Sequence, residues 1–180
     1  MKRAGSVPAR LLLLGVATVA LGCAEDPQAR GAAVLAPFKT ELQAALREGL
    51  ERGPEHAIEV CRVRAPELAA EAAGPGVEIG RTSHRLRNPA NAPRPWVAPL
   101  LAAFVADPAA AGPRTVSLPD GRTGYVEPIP TQAMCLVCHG ETLAPAVQER
   151  LQALYPADEA VGFREGDLRG LFWAELLRAE

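Results

Sequence analysis

The sequence predicts an α+β fold in which N-terminal helices pack on a small antiparallel sheet. Two observations indicate this. Apolar residues recur at three- and four-residue steps between residues 34 and 68, and two β-like runs flank an Asp-Gly pair at residues 120 and 121. Helices followed by an antiparallel sheet are typical of the α+β class. The 180 residues show no internal repeat and suit one domain with a short N-terminal appendage.

Two helices are predicted in the first half of the chain. The first begins near residue 34 and ends before Gly53, and its apolar positions are Leu35, Phe38, Leu42 and Leu46. Pro54 suits the first turn of the second helix, and Pro66 either divides that helix or begins a new segment. One face of the second helix carries Ala57, Ile58, Cys61, Ala65 and Leu68.

Beyond Gly76 the helical period gives way to strands. Residues 77–81 alternate as a short strand, and the runs 115–118 and 123–126 form a hairpin around the Asp-Gly turn. Residues 96–106 and 143–154 are predicted to be helical, and a final strand is expected within 168–177.

The N-terminus has the pattern of an export signal. Lys2, Arg3 and Arg10 precede a short apolar run over residues 11–21, which is too short for a comfortable transmembrane helix. The run ends in Ala-Leu-Gly-Cys and resembles the lipobox of bacterial lipoproteins, which implies lipidation of Cys23. An ordinary signal peptide that happens to end near a cysteine is the alternative.

We therefore predict three segments. Residues 1–22 are a lipoprotein signal peptide, residues 23–33 are a flexible tether, and residues 34–180 form the folded domain. The expected location is the periplasmic side of a bacterial membrane, with the lipidated cysteine as the anchor.

Composition excludes some classes of protein. The 19 Lys and Arg residues against 21 Asp and Glu residues argue against a nucleic-acid partner, which favours a basic surface. Four cysteines are too few for a disulfide scaffold. Aromatic residues make up only 4% of the chain, so a large apolar cofactor would supply bulk that the side chains do not.

The strongest motif is Cys135-Leu-Val-Cys138-His139. This C-x-x-C-H pattern is that of c-type haem attachment: two cysteines three apart reach one edge of the porphyrin, and the histidine lies beneath the iron. A redox-active C-x-x-C would be expected beside a βαβ pattern, which is missing here. A zinc site needs four well-spaced ligands rather than one cysteine pair and an adjacent histidine. The sequence predicts one covalent haem c, with His139 as the proximal iron ligand.

Several motifs together resemble a family of bacterial single-haem c-type proteins with a PAS-like haem domain, long known only as a domain of unknown function. They are the C-x-x-C-H motif with Gly140, the runs 155–163 and 165–170, the loop 87–93 (R-N-P-A-N-A-P) and the helix 57–61 (A-I-E-V-C). The resemblance runs from about residue 35 to 178. It implies a PAS-like fold, a covalent haem and a sensing or redox role, either alone or fused to sensor histidine kinases.

The residues themselves leave the second axial ligand open. Met134 directly precedes the first haem cysteine and cannot readily cross to the opposite face of the haem. His84 follows a predicted strand and is one candidate, whereas His56 is expected to face solvent. A cysteine such as Cys61 is most often a small buried hydrophobe. The resemblance, however, implies that Cys61 is the distal thiolate ligand.

Arginines are the expected partners of the haem propionates. Arg87 is the first choice because its planar fork grips a carboxylate bidentately, and Arg85 and Arg169 are weaker choices. Asn88 and Asn91 are expected to hold the turns of their loop through their side chains.

These features favour a haem-based sensor of redox state or of a diatomic gas such as CO or NO, which would need a separate protein partner for its output. A periplasmic single-electron carrier is the alternative. A haem enzyme such as a peroxidase needs an open distal site with acid–base groups, which a bound Cys61 would block, so we expect no enzymatic activity.

Overall fold

The structure is a computed structural model that describes residues 26–177. The helices are α1 (Pro27–Glu51), α2 (Pro54–Glu59), α3 (Ala65–Ala72), α4 (Ala98–Ala106), α5 (Leu136–His139) and α6 (Pro145–Leu154). The strands are β1 (Val77–Thr82), β2 (Arg114–Ser117), β3 (Thr123–Pro130) and β4 (Leu168–Leu176). Helices on an antiparallel sheet confirm the predicted α+β class.

The sheet is a four-stranded antiparallel layer with helices on both faces. Its strand order is β1-β4-β3-β2, so the last strand of the chain lies in the middle. Alternation along β4 divides the core between the two faces: Phe172, Ala174 and Leu176 pack against α1 and α3, whereas Leu171 and Trp173 pack with α4. The hairpin predicted around the Asp-Gly turn is confirmed as β2 and β3.

Helix α1 begins earlier than predicted. Asp26 caps the helix by accepting a hydrogen bond from the Gln28 amide, and Pro27 occupies the first turn. Gly31 is buried, and a Cβ there would lie 2.3 Å from the Tyr125 ring. The prediction of a flexible tether is therefore wrong for residues 27–33, which are helical and packed on the sheet. Residues 1–25, including the predicted signal peptide and Cys23, lie outside the described residues.

The second predicted helix is interrupted by a π-helical turn. Residues Val60–Arg64 separate α2 from α3, and the Ala65 amide donates to the Val60 carbonyl five residues back. Pro66 follows this turn. A proline there has no N–H, and in an α-helix its ring would crowd the carbonyl of Arg62, so a wider turn relieves the conflict. Pro66 thus divides the helix, as the sequence allowed, and Cys61 lies in the widened turn.

An irregularity in the sheet redirects one arginine. The pairing register between β3 and β4 shifts where Ile129 pairs with Gly170 and Pro130 pairs with Leu168, leaving Arg169 as an extra residue on β4. A bulge of this kind re-aims a side chain at the edge of a sheet. Leu168 packs on the α4 side, and the Arg169 side chain enters a cavity beside α1.

Within residues 26–177, no helix combines the length and the apolar character that a membrane crossing requires.

Candidate functional site

A cavity of about 390 Å³ lies between the α1–α2 helices and the open end of the sheet. Four residues singled out from the sequence line this one space: Cys61, Cys135, Cys138 and His139. They come from two elements far apart in the chain, the π turn and the segment after β3. Folding therefore brings the predicted axial and attachment residues together.

The cysteine motif forms a short helical run. A 3-10 turn over Ala133–Cys135 continues into α5, and the extended β3 strand leads into it. Residues three apart on a helix lie on the same face, so Cys135 and Cys138 can reach a single ligand edge. Burial raises the pKa of the Cys138 thiol to about 11, with Arg87 opposing the shift. That thiol is therefore protonated at neutral pH.

The His139 imidazole is held in one orientation by a backbone carbonyl. Its Nδ1 lies 2.6 Å from the Ala160 oxygen, so Nδ1–H donates and Nε2 is the acceptor nitrogen, which the Arg169 Nη2 approaches at 3.5 Å. Burial, followed by the charges of Arg169 and Arg87, holds the pKa of His139 well below its usual range. A neutral histidine whose other ring nitrogen is fixed by a carbonyl has the arrangement that metal-ligating histidines adopt.

The segment 158–163 forms the frame behind this histidine. The Phe163 amide donates to the His139 carbonyl at 3.0 Å, and the Gly162 amide donates to Gly140 at 2.9 Å. The Asp158 carboxylate accepts from the Ala160 amide at 2.8 Å. This explains physically why the run 155–163 accompanies the cysteine motif: its backbone orients the imidazole.

Arg87 lines the cavity and is bound into the same frame. Its Nε donates to Asp158 at 2.9 Å, and its Nη2 donates to the Cys138 carbonyl at 2.6 Å. Both side chains of the Arg87–Asp158 pair are only 11% exposed. Since most of its donors are used within the protein, the structure favours a structural role for Arg87 over the predicted propionate contact.

Two other arginines, Arg81 and Arg169, line the cavity without a carboxylate partner among the described residues. Arg169 donates to the Ser83 hydroxyl at 2.8 Å and lies over the Phe163 ring, and Arg81 approaches only the Cys61 carbonyl at 3.4 Å. Among residues 26–177, no carboxylate lies within salt-bridge distance of either guanidinium. Burial and the neighbouring charges of Arg81 and Arg87 lower the pKa of Arg169 to about 10.

Sequence reasoning missed Arg81 and underrated Arg169. The alternation of β1 was a usable signal for Arg81, because it puts Arg81 on the same face as Val77 and Ile79. For Arg169 no sequence signal was available, since the register shift that exposes it to the cavity depends on the pairing of two strands.

Cys61 lies in the π turn Val60–Arg64, whereas His139 lies in α5. The π turn holds it half-buried on the cavity wall. Among the described residues, no group of three or more His, Cys, Asp or Glu side chains is gathered closely enough to hold a bare metal ion.

The other candidates lie elsewhere or in supporting positions. His84 does not line the cavity. Its ring packs edge-on against Phe163 at 5.7 Å, and its buried Nδ1 has no hydrogen-bond partner among the described residues. His56 is half-buried outside the cavity. Met134 lines the wall beside Cys135, as its position in the chain required.

Polar residues of the flanking loops hold backbone in place. Arg85 donates to the Val161 carbonyl at 2.9 Å and is exposed. The Asn88 side chain accepts from the Ala90 amide at 3.0 Å, which agrees with the turn role expected for it. For Asn91 the described contact is through its backbone, whose carbonyl accepts from the Thr82 hydroxyl at 2.7 Å.

Comparisons with known proteins identify the family. The family model described as Tll0287-like matches residues 24–175. The chain belongs to the Tll0287-like family. It is also similar to a solved structure, the crystal structure of the cyanobacterial heme-protein Tll0287, with a TM-score of 0.55 and 30% sequence identity. That alignment covers 65% of this chain and 71% of the other. No curated protein matches the chain significantly.

Membership of the Tll0287-like family confirms the resemblance inferred from the sequence motifs. The match includes every cavity-lining residue discussed above, from Cys61 to Arg169, so the site lies wholly within the region that defines the family.

Proposed function

We propose that this protein is an exported single-haem c-type protein that senses redox state or a diatomic gas. Cys135 and Cys138 would hold the haem through their sulfurs, His139 through Nε2, and Cys61 through Sγ on the opposite side. The observation that carries the proposal is the fixed tautomer of His139, which leaves Nε2 as the acceptor nitrogen in a cavity lined also by three cysteines, where its one recorded contact is the long approach of Arg169 at 3.5 Å. Similarity to a protein described as a heme-protein supports it.

The charges around the cavity fit the chemistry of haem. Two guanidiniums without carboxylate partners are costly to bury, and a ligand that carries two carboxylates would neutralise both. Arg81 and Arg169 are therefore the residues we assign to the propionates. Lys39 also lines the cavity, but it already pairs with Glu127.

The protein's own residues would set the properties of the cofactor. Haem supplies an iron that exchanges one electron and binds small diatomic molecules. A thiolate facing a histidine adds negative charge at the iron and favours the ferric state, whereas buried arginines oppose that effect. The hydrogen bond from His139 to Ala160 keeps the imidazole neutral and in one orientation.

The π turn favours sensing over simple electron transfer. Single π-helical turns inside helices are uncommon and occur frequently at functional sites. A ligand carried by such a turn can leave when the iron is reduced, which opens a position for CO or NO. An electron carrier needs both axial ligands to stay bound in both oxidation states. Neither role is that of an enzyme.

The decisive test compares spectra of wild type and Cys61→Ser. Both would be purified as soluble domains with Cys23 replaced, and optical and EPR spectra recorded oxidised and reduced, with and without CO. We expect a low-spin ferric thiolate signal that Cys61→Ser abolishes, and CO binding to the reduced wild type. An unchanged spectrum in the variant would remove Cys61 from the site. Retention of Cys61 without CO binding would favour the electron carrier.

We also propose that the protein is a lipoprotein on the periplasmic side of the membrane. The support is the sequence pattern that ends at Cys23, together with the extracytoplasmic attachment that c-type haem requires in bacteria. Metabolic labelling with palmitate should mark the wild type and not Cys23→Ser. Equal labelling of both, or a wild type found only in the soluble fraction, would contradict the anchor.

A further inference from the structure

A second cavity of about 400 Å³ lies behind the distal side of the first. One wall is the α3 helix, with Ala65 and Ala69, and Ala73 directly after its end, and the other is the β1 edge of the sheet with Ile79 and Gly80. Ala70, at its rim, is exposed to solvent. We call this space the α3–β1 groove.

The α3–β1 groove and the first cavity meet at a thin partition. Cys61 and Arg81 line both spaces, as do Asn88 and Asn91 of the neighbouring loop. A haem held in the first cavity would therefore be separated from the groove by these shared residues, Cys61 and Arg81 among them.

The turn that carries Cys61 is π-helical and could also adopt α-helical geometry. The Val60–Arg64 turn is π-helical next to Pro66, yet α1 contains Pro37 without a π-helical turn. A helix of this protein therefore accepts a proline in either geometry. A change at the Val60–Arg64 turn would rotate Cys61 about the helix axis and move its sulfur along the partition. The Cys61 backbone is tied to the sheet by the long contact from Arg81 to the Cys61 carbonyl, at 3.4 Å.

We propose that the α3–β1 groove receives the Cys61 side chain when it leaves the iron and is the route by which a small neutral ligand reaches the distal face. This inference rests on the proposed function, because it takes Cys61 as the distal ligand. In the reduced protein the Cys61 thiolate would exchange for the diatomic molecule at the iron and take a proton from water, which leaves hydroxide in solvent, with no change of oxidation state.

The walls of the α3–β1 groove suit a ligand of this class. The α3 side is built from alanine methyl groups, and Trp173 and Ile79 add apolar surface. A neutral diatomic molecule loses little by crossing such a surface, whereas a charged ligand would have to be desolvated. Two of the three charged residues at the groove, Glu78 and Arg94, pair with each other, and the third, Arg81, lies at the partition.

The first test measures thiol reactivity in the haem-loaded protein with Cys23 replaced. Two of the four cysteines are then held in thioethers, which leaves Cys61 as the reactive thiol. We expect iodoacetamide to modify Cys61 in the reduced protein and not in the oxidised protein, as read by mass spectrometry. An unreactive Cys61 in reduced protein that binds CO normally would overturn release into the groove.

The second test narrows the α3–β1 groove without touching the proposed ligands. Ala69→Leu adds bulk within it and Ala70→Trp covers its exposed rim, whereas Ala102→Leu adds the same leucine to an exposed position of α4 that lines neither cavity. We expect Ala69→Leu and Ala70→Trp to slow both alkylation and CO binding by about tenfold, a barrier increase of about 1.4 kcal/mol. Ala102→Leu should match wild type.

The outcomes separate this inference from the proposed function. If variants with a wild-type ferric spectrum react with iodoacetamide and CO at the wild-type rate, the groove is not the route, although Cys61 remains the ligand. If Ala69→Leu fails to fold, the rim variant Ala70→Trp decides the question. Failure of the proposed function would appear instead as the absence of attached haem, or as a Cys61→Ser spectrum identical to wild type.

Discussion

His139 depends on a backbone atom more than twenty residues further along the chain. The Ala160 carbonyl accepts its Nδ1–H, the Ala160 amide donates to Asp158, and Arg87 donates both to Asp158 and, at 3.3 Å, to the Ala160 carbonyl. Three residues that never need to touch the cofactor therefore determine which nitrogen of the histidine faces it.

Removal of Asp158 should destabilise this frame strongly. Asp158→Ala leaves the Arg87 guanidinium buried without its carboxylate, so we expect a loss of about 3–5 kcal/mol in the free energy of unfolding measured with urea. Asp120→Ala is the matched control, since Asp120 pairs with Arg122 on the surface, and it should cost much less. Equal losses in both variants would show that the Arg87–Asp158 pair is not a buried support.

Arg169 and Arg85 provide a matched test of the propionate assignment. Both guanidiniums lie 4.9 Å from the centre of the Phe163 ring, but Arg85 is exposed and bonded to backbone carbonyls. Arg169→Gln removes a buried positive charge near the haem. We therefore expect a midpoint potential lower by tens of millivolts in redox titration, on the order of what a partly screened charge supplies.

Arg85→Gln should change the potential by much less, because solvent screens its charge. A shift of the same size in both variants, or none in Arg169→Gln, would place Arg169 away from the cofactor.

Residues of the site differ in how far the sequence predicts them. The spacing of Cys135, Cys138 and His139 specifies their chemistry locally, so the chain alone identifies them. The arginines are assigned by long-range contacts: Arg87 looks like a ligand group until its partner Asp158 is known. Arg169 faces the cavity only because two strands pair out of register.

Among the elements, α1 shows where sequence patterns were incomplete. The polar stretch before residue 34 suggested a tether, and the apolar period that predicts the helix becomes clear only later. The signal that could have located the true start was present in Asp26 followed by Pro27, a capping residue and a first-turn proline. The burial of Gly31 depends on Tyr125, which no local pattern reveals.

Gly31→Ala tests whether the early part of α1 packs as described. In an exposed helix this change stabilises by about 0.5–1 kcal/mol, because alanine has the better helix propensity. Here the new methyl group would collide with the Tyr125 ring, so we expect a destabilisation of about 1–3 kcal/mol in thermal or urea unfolding. Ala33→Gly, at an exposed position of the same helix, should cost about 0.5–1 kcal/mol. A stabilised Gly31→Ala would mean that this segment is not packed.

Apolar periodicity predicts the buried face of the second helix but not the π turn that interrupts it. Ala57, Ile58, Ala65 and Leu68 are all buried, as one continuous apolar face predicts. Counting at a constant helical step through Cys61 nevertheless gives the wrong geometry, because the turn contains an extra residue. Pro66 indicated an interruption, but Pro37 in α1 shows that a proline does not by itself specify a π-helical turn.

At the scale of the whole molecule, His84 links stability to pH. Burial, and then the charges of Arg85 and Arg169, lower the pKa of His84 in the folded state. Because the unfolded chain binds the proton more readily, stability is fully present above the unfolded pKa of about 6.5 and falls as the pH drops below it.

The haem-loaded protein should therefore unfold at lower urea concentration at pH 5.5 than at pH 7.5. The slope attributable to His84 must lie below about 1.4 kcal/mol per pH unit, which is the limit for one proton. His84→Phe keeps a ring against Phe163 and removes the titrating group, so its profile over this range should be flatter than that of wild type. Parallel profiles for the two proteins would rule out this contribution.

The central claim is that the chain carries one haem bound through Cys135 and Cys138. The most direct measurement is the mass of the denatured soluble domain, with Cys23 replaced and the protein produced together with a c-type haem maturation system. The account predicts the mass of the polypeptide plus one haem, unchanged by Cys61→Ser and lost in the Cys135→Ala/Cys138→Ala double variant. Wild-type protein at the bare polypeptide mass, or a double variant that keeps the haem mass, would contradict it.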